Sequence, residues 1–309
     1  MNRVIHVYQR SVDWGVIFYT RHDCLVFYTL FSVFVRKYNV QVLGLAIMYN
    51  HFHILIAAQY RAQIEQFVSV ITSLFARYYN DDTGLGGAVF HKSFGSSVKY
   101  NDKDIRTAAG YLYNNHTNKK LCDKADEIRW NFLPYAHNKY PFSDPIVLNK
   151  SRKVLRRAIK LIDSLRKQEL YLGYSFLRTI FKGLTPTEKE QVTDYIISSY
   201  SCIDFPTLEC LYRSYDEMVY SFNANTFNEY DITESKDERQ GDDRVYGQLA
   251  RAIISSGKFS RLKEILTMSP DARLQLALEL HAKTEAPFTS IGKYLHLTIQ
   301  YNSAPKDHF

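Results

Sequence analysis

The chain has 309 residues, of which 46% are hydrophobic, 15% aromatic and 23% charged, ample for real cores and long enough for two domains. Its formal net charge of +7 favours an anionic partner, nucleic acid ahead of a membrane surface. No apolar run is long enough to span a bilayer, Met1 to Val7 has no signal-peptide core, and Cys24, Cys122, Cys202 and Cys210 lie scattered without a Cys-x-x-Cys pair; together these predict a soluble cytoplasmic protein in a reducing compartment.

In chain order, Val4 to Tyr8 alternates as a short strand, and Val16 to Tyr19 reads as a second. Arg21 to Tyr38 reads as a helix rich in Val and Phe, residue types that also suit strands. Val40 to Met48 is strand-like, and His51 to Ile56 follows it as a neighbouring strand in the sheet centre. Arg61 to Asn80 is the clearest helix, with Ile64, Phe67, Val68, Ile71, Leu74, Phe75 and Tyr78 on one stripe. Gly84, Gly86 and Gly87 mark a loop, and Val89 to Lys99 an irregular hairpin. A helix from Asp102 to about His116 can be capped by Asn101 or Asp102.

Pro141 and Pro145 bracket a linker, which divides the chain into 1–143 and a mainly helical accessory region, 144–309. Lys and Arg outnumber Asp and Glu by 17 to 11 in residues 1–150 but only by 22 to 21 afterwards, so a polyanion would meet the first part and the basic start of the second. Residues 150–200 look helical. Asn223 to Asp243 is acidic and loop-like. Ser269-Pro270-Asp271 opens a helix to about Lys283, and with the segment after Pro287 it can form part of a helix-turn-helix.

The chemistry concentrates at Asn50-His51-Phe52-His53. In a strand His51 and His53 share a face while Phe52 points into a core. Two imidazoles make half a metal site. The helix from Asp102 supplies Tyr111 and Asn115, four apart on one face, so that an amide oxygen can be the third ligand of a hard cation with a phenol beside it. Taken alone, a His-x-His strand is more often ordinary core or surface structure than a metal site.

Read together, Met48-Tyr49-Asn50-His51-Phe52-His53-Ile54-Leu55 resembles the HUH motif of single-tyrosine transposases, and it is similar above all to REP-associated tyrosine transposases and their insertion-sequence relatives. Tyr111-Leu112-Tyr113-Asn114-Asn115-His116 stands where that family has Tyr-Ile-x-x-Asn-Pro. Arg129-Trp130-Asn131-Phe132 stands where it has a Trp-Ser-Ser-like segment. Tyr49 and His116 replace two prolines of the pattern. The resemblance covers about residues 1–140.

It implies an α+β fold, an antiparallel sheet with helices packed on it (HUH, ferredoxin- or RRM-like), followed by the mostly helical C-terminal region. It also implies a metal-dependent endonuclease and strand transferase acting on single-stranded or hairpin DNA. Tyr111 would be the nucleophile forming a 5′-phosphotyrosine, with His51, His53 and Asn115 holding Mg²⁺ or Mn²⁺. The family contains monomers and homodimers that exchange the tyrosine helix, and both states stay open. A non-cleaving hairpin DNA- or RNA-binding regulator and a metal-dependent phosphoesterase without a covalent intermediate are the alternatives. Arg77, Lys92, Lys99, Arg152 and Arg156 are candidate phosphate contacts, and Tyr79 a candidate base-stacking ring, while Tyr78 fits the core stripe. Tyr113 competes with Tyr111, and His91 is read as a loop residue.

Overall fold

The computed structural model describes residues 3–224 and 242–297. Four strands, β1 (Arg3–Arg10), β2 (Gln41–Ile47), β3 (His51–Ala58) and β4 (Gly95–Lys99), form one antiparallel sheet in the order β2-β3-β1-β4. With α1 (Arg21–Lys37) between β1 and β2 and α2 (Arg61–Thr83) between β3 and β4, the topology is the ferredoxin-like βαββαβ. The expected fold class is therefore observed.

The period-2 alternation of β3 separates two faces. Phe52, fully buried, meets Phe27 of α1 at 4.8 Å and Phe90 at 5.6 Å between ring centroids, a burial that contributes roughly 2–3 kcal/mol. On the opposite face, α3 (Asp102–Asn118) lies across β2 and β3. It begins where the Asn101 side chain accepts the Asp104 N–H at 2.9 Å.

The close approach of α3 rests on a bulge in β2 between Val42 and Gly44. The Tyr113 hydroxyl donates to the Leu43 carbonyl at 3.0 Å. A Cβ on Gly44 would stand 3.2 Å from the Tyr113 hydroxyl and 3.3 Å from Leu112, so glycine is needed here for proximity. Asn131 fastens the same helix, donating to the carbonyls of Tyr113 and Ala125 at 3.1 and 2.6 Å.

The C-terminal helices are α4 (Lys153–Lys167), α5 (Tyr174–Phe181), α6 (Pro186–Ser199), α7 (Phe205–Glu209), α8 (Tyr215–Ala224), α9 (Arg244–Ser255), α10 (Pro270–Thr284) and α11 (Phe288–Leu295). Helices α5 and α6 cover the outer side of α1, and α8 covers α3. Buried apolar residues from Val4 to Leu295 form one continuous cluster. Asp23 is a joint of this assembly. Fully buried at the start of α1, it closes a capping box with Thr20 and accepts from the Tyr174 hydroxyl and the Lys263 ammonium, each at 2.7 Å. Lys263 also reaches Asp82 at 2.7 Å, and Arg178 pairs with the same carboxylate.

Several local expectations are corrected. Val16 to Tyr19 is extended but pairs in no strand, because its N–H groups are taken by Lys293 and Tyr49 carbonyls. Residues 89–99 make no hairpin; β4 pairs with β1 alone, and Phe90 forms a single bridge to Ser11. The buried stripe of α2 runs through Thr72 and Tyr79 rather than Leu74 and Tyr78. Helix α11 buries Ile291, Tyr294 and Leu295, so it is part of the core and not a projecting recognition helix. Most of the acidic 223–243 stretch, residues 225–241, lies outside the described residues. No described helix is long and apolar enough to cross a membrane.

Gly44→Ala is expected to lower stability by about 1–3 kcal/mol by overpacking α3 against β2, and Gly44→Val by more. Denaturant melts measure the difference, and an unchanged midpoint for Gly44→Val would contradict the close approach.

Candidate active site

The register of β1 against β3 sets Tyr8 opposite His53 and Arg10 opposite His51, so these side chains share the face under α3 with His6. The two imidazoles stand 5.0 Å apart between centroids, edge to face. Tyr111 projects from α3 with its ring 5.5 Å from His53 and 5.9 Å from His6. One turn later the Asn115 amide nitrogen is 3.2 Å from His53 Nε2. The sequence-predicted His51, His53, Tyr111 and Asn115 are thus brought to one place. All four are buried, with exposures of 2%, 0%, 4% and 3%, so a substrate reaches them only if a covering element moves.

Hydrogen bonds orient both rings. The Asn50 amide nitrogen donates to the Trp14 carbonyl at 3.0 Å, which turns its oxygen toward His51 Nδ1 at 2.7 Å. His51 Nδ1 is therefore the protonated nitrogen, and Nε2 carries the lone pair. His53 Nδ1 meets His6 Nε2 at 3.2 Å, and the two rings stack at 5.2 Å. With the Asn115 N–H donating to His53 Nε2, His53 Nδ1 donates to His6 and Nε2 again carries the lone pair. Such partners on the far ring nitrogen are what fix a metal-binding imidazole.

The donor set also passes a chemical test for a cation. Asn115 Oδ1 is buried and has no hydrogen-bond partner among the described residues, and it sits on the amide that already touches His53 Nε2. Amide oxygen and neutral imidazole are both ligands that divalent cations take. No group of three or more His, Cys, Asp or Glu among the described residues is arranged so that it could hold a metal ion, so any such site depends on the amide.

His6, Tyr8 and Trp14 were not singled out in the sequence. Tyr8 lies 5.3 Å from His51 and 5.0 Å from His53, and Trp14 lies 6.4 Å from His51. The available signal was the alternation of His6 and Tyr8 in β1, which assigns both to the histidine face once β1 and β3 are paired. His116 is buried, with Nε2 donating to the Ile47 carbonyl at 3.0 Å, and burial pushes its pKa down to about 4. The competing Tyr113 is fully buried with its hydroxyl on a backbone carbonyl, and burial pushes its pKa well up.

The candidate DNA contacts separate. Lys99 shares the sheet face of His6 by register. Lys92 and Arg156 are exposed, as is His91. Arg77 lies over the Tyr78 ring at 5.3 Å. Tyr79 is corrected: it is 2% exposed beneath Lys263, 4.9 Å from its ring, and has no face to offer a base. Tyr78 is the half-buried ring of the two. Arg152 is committed to Glu188, which caps α6 and accepts the Thr185 N–H at 2.8 Å.

A ferredoxin-like sheet with two oriented imidazoles under a helix that presents Tyr and Asn one turn apart defines the class of this domain. Residues 17–115, which include all four of those side chains, match the family model described as Transposase IS200 like, a match that supports a transposase-type, DNA-processing role. The chain is also similar to a solved structure described as a REP-associated tyrosine transposase bound to a REP hairpin. Identity there is 11%, over 41% of this chain and 74% of that one, with a TM-score of 0.33. No curated protein matches.

The Arg152–Glu188 pair gives a pH prediction. Arg152, chiefly through its hydrogen bonds, holds the Glu188 pKa at about 2, below the ordinary 4.5. A lowered carboxylate pKa stabilises the fold above the ordinary value, and that stability is lost as pH falls toward 2. Arg152→Ala is therefore expected to melt at a lower temperature than wild type above pH 4.5, with the two curves converging near pH 2. A deficit that does not change between pH 7 and pH 2 would contradict the linkage.

Proposed function

We propose that the chain is a metal-dependent, single-tyrosine endonuclease and strand transferase for single-stranded or hairpin DNA. The observation that carries this reading is the approach of Tyr111 and Asn115 to His53 from one face of α3. In this reading His51 and His53, through Nε2, and Asn115, through Oδ1, would hold Mg²⁺ or Mn²⁺ once the Asn115 N–H gives up the His53 Nε2 lone pair on which it rests, with Asn50 and His6 orienting the rings. A bound divalent cation supplies positive charge at the scissile phosphate and helps an ordinary phenol, of pKa about 10, to ionise.

The Tyr111 oxygen bonds to phosphorus as the bond from phosphorus to the 3′-oxygen breaks. The leaving oxygen takes a proton to become a free 3′-OH, and the 5′-phosphate stays on Tyr111. The new ester conserves the broken bond's energy, so attack by a 3′-OH rejoins DNA without ATP. Lys99 at the edge of the same face is suited to a flanking phosphate. Residues 1–143 would form the catalytic unit and 144–309 its accessory region.

One observation favours a second reading. The near-complete burial of the four groups suits a regulator that binds a hairpin and does not cut it. A set of labelled single-stranded hairpins with Mn²⁺ separates the two. Cleavage predicts a covalent adduct that disappears in Tyr111→Phe and falls by about 10²–10³-fold in His53→Ala, the scale of a lost electrostatic stabiliser. Salt-sensitive binding that survives both substitutions, without any adduct, would establish the regulator instead.

A further inference from the structure

A second concave site lies away from the histidine face, at the N-terminal end of α1 and the C-terminal end of α2. It is a cavity of about 550 Å³ whose remaining walls come from α5, α6 and the segment around residue 262. Six cations line it: Arg21, Arg178, Lys182, Lys189, Arg261 and Lys263. Asp82 is the single acid in the lining, and Lys263 and Arg178 already satisfy it. Arg21 is engaged by Glu190, and Arg261 stands 3.8 Å from Glu264. Lys182 and Lys189 are exposed and make no ion pair among the described residues. Positive charge thus exceeds what the surrounding carboxylates neutralise, in a concavity where field lines concentrate.

The cavity also has an aromatic side. His22 and Phe181 meet edge to face at 5.1 Å, and Tyr174 lies beneath. Burial pushes the His22 pKa down, so its ring is neutral at pH 7. A lone phosphate would leave most of the volume empty, whereas a phosphate joined to a flat ring would use both the charged and the aromatic walls.

We propose that this cavity binds a nucleoside phosphate unit, with the phosphate on Lys182 and Lys189 and the base against His22 and Phe181. The unit is either a free nucleotide or one nucleotide of a DNA strand, and the chemistry of recognition is the same. The sheet separates the cavity from Tyr111, so the proposal does not rest on cleavage.

The test measures binding of dAMP, and separately of a short single-stranded oligonucleotide, to the full chain in EDTA, which removes any metal-centred contact. Lys182→Glu/Lys189→Glu is compared with the charge-matched Lys150→Glu/Lys283→Glu, and circular dichroism checks that both fold. The lysine pair in the cavity should weaken dAMP binding at least about tenfold, the scale of a charged hydrogen bond, while the control pair has little effect. If dAMP does not bind but the oligonucleotide loses affinity and about 1.4 units of salt slope, roughly 0.7 for each lysine, in the cavity variant alone, the unit belongs to a strand. Equal behaviour of the two variants with both ligands, or no binding of either ligand by wild type, would overturn the proposal.

Discussion

The contact of α3 with the sheet at Gly44 is the constraint on which the candidate site depends. It is a packing contact first: no side chain at Gly44, a bulge that frees the Leu43 carbonyl, and the Tyr113 hydroxyl on that carbonyl. Two residues before Tyr113, the ring of Tyr111 is carried to the imidazoles; two residues after, Asn115 reaches His53. Tyr113 and Tyr111 divide the work by helix geometry, since residues two apart point in different directions. The one anchors and the other faces the histidines.

A second joint binds the C-terminal part to this unit. A buried carboxylate such as Asp23 is tolerated only with full pairing, and the Thr20 cap, Tyr174 and Lys263 provide it from three separate stretches of chain. The ammonium of Lys263 lies over the rings of Tyr79 and Tyr174 at 4.9 and 4.2 Å, which adds to the pairing. Residues 144–309 therefore share a core with the sheet. Their division from 1–143 is proposed as one of role, with the family match confined to 17–115.

How much of this was legible in the sequence depended on whether a signal was local. The HxH alternation, the Tyr and Asn one turn apart, and the cap at Ser269 are local, and the structure shows the strand, the helix face and the cap. Helix α1 was ambiguous because it is buried almost all round, between the sheet and α5 and α6, so it has no polar face to give a period. Tyr78 and Tyr79 were exchanged because Lys263, 184 residues away, covers the second ring; no window of α2 contains that fact. His6 was passed over for the same reason. Only the β1–β3 register makes a residue near the N-terminus the neighbour of His53.

Burial imposes an energetic condition on the chemistry proposed for Tyr111. Moving α3 as a whole would forfeit the Tyr113–Leu43 hydrogen bond, the Asn131 anchor and the burial of Leu112, together several kcal/mol. A gap of about 3 kcal/mol already leaves only roughly 1% of molecules open. The alternative is to displace what lies outside the site. The turn before His51 is covered by α9, where Tyr246 meets Tyr49 at 5.0 Å and the Asp243 N–H donates to the Lys119 carbonyl just beyond α3. That cover is packed as well: Tyr246 stacks on Tyr294 at 6.0 Å and α9 buries Leu249 and Ile253, while α3 is held by bulge, glycine and anchor together. Access on either side therefore costs buried contacts, and only a movement that leaves α3 in place keeps its tyrosine in register against the two imidazoles.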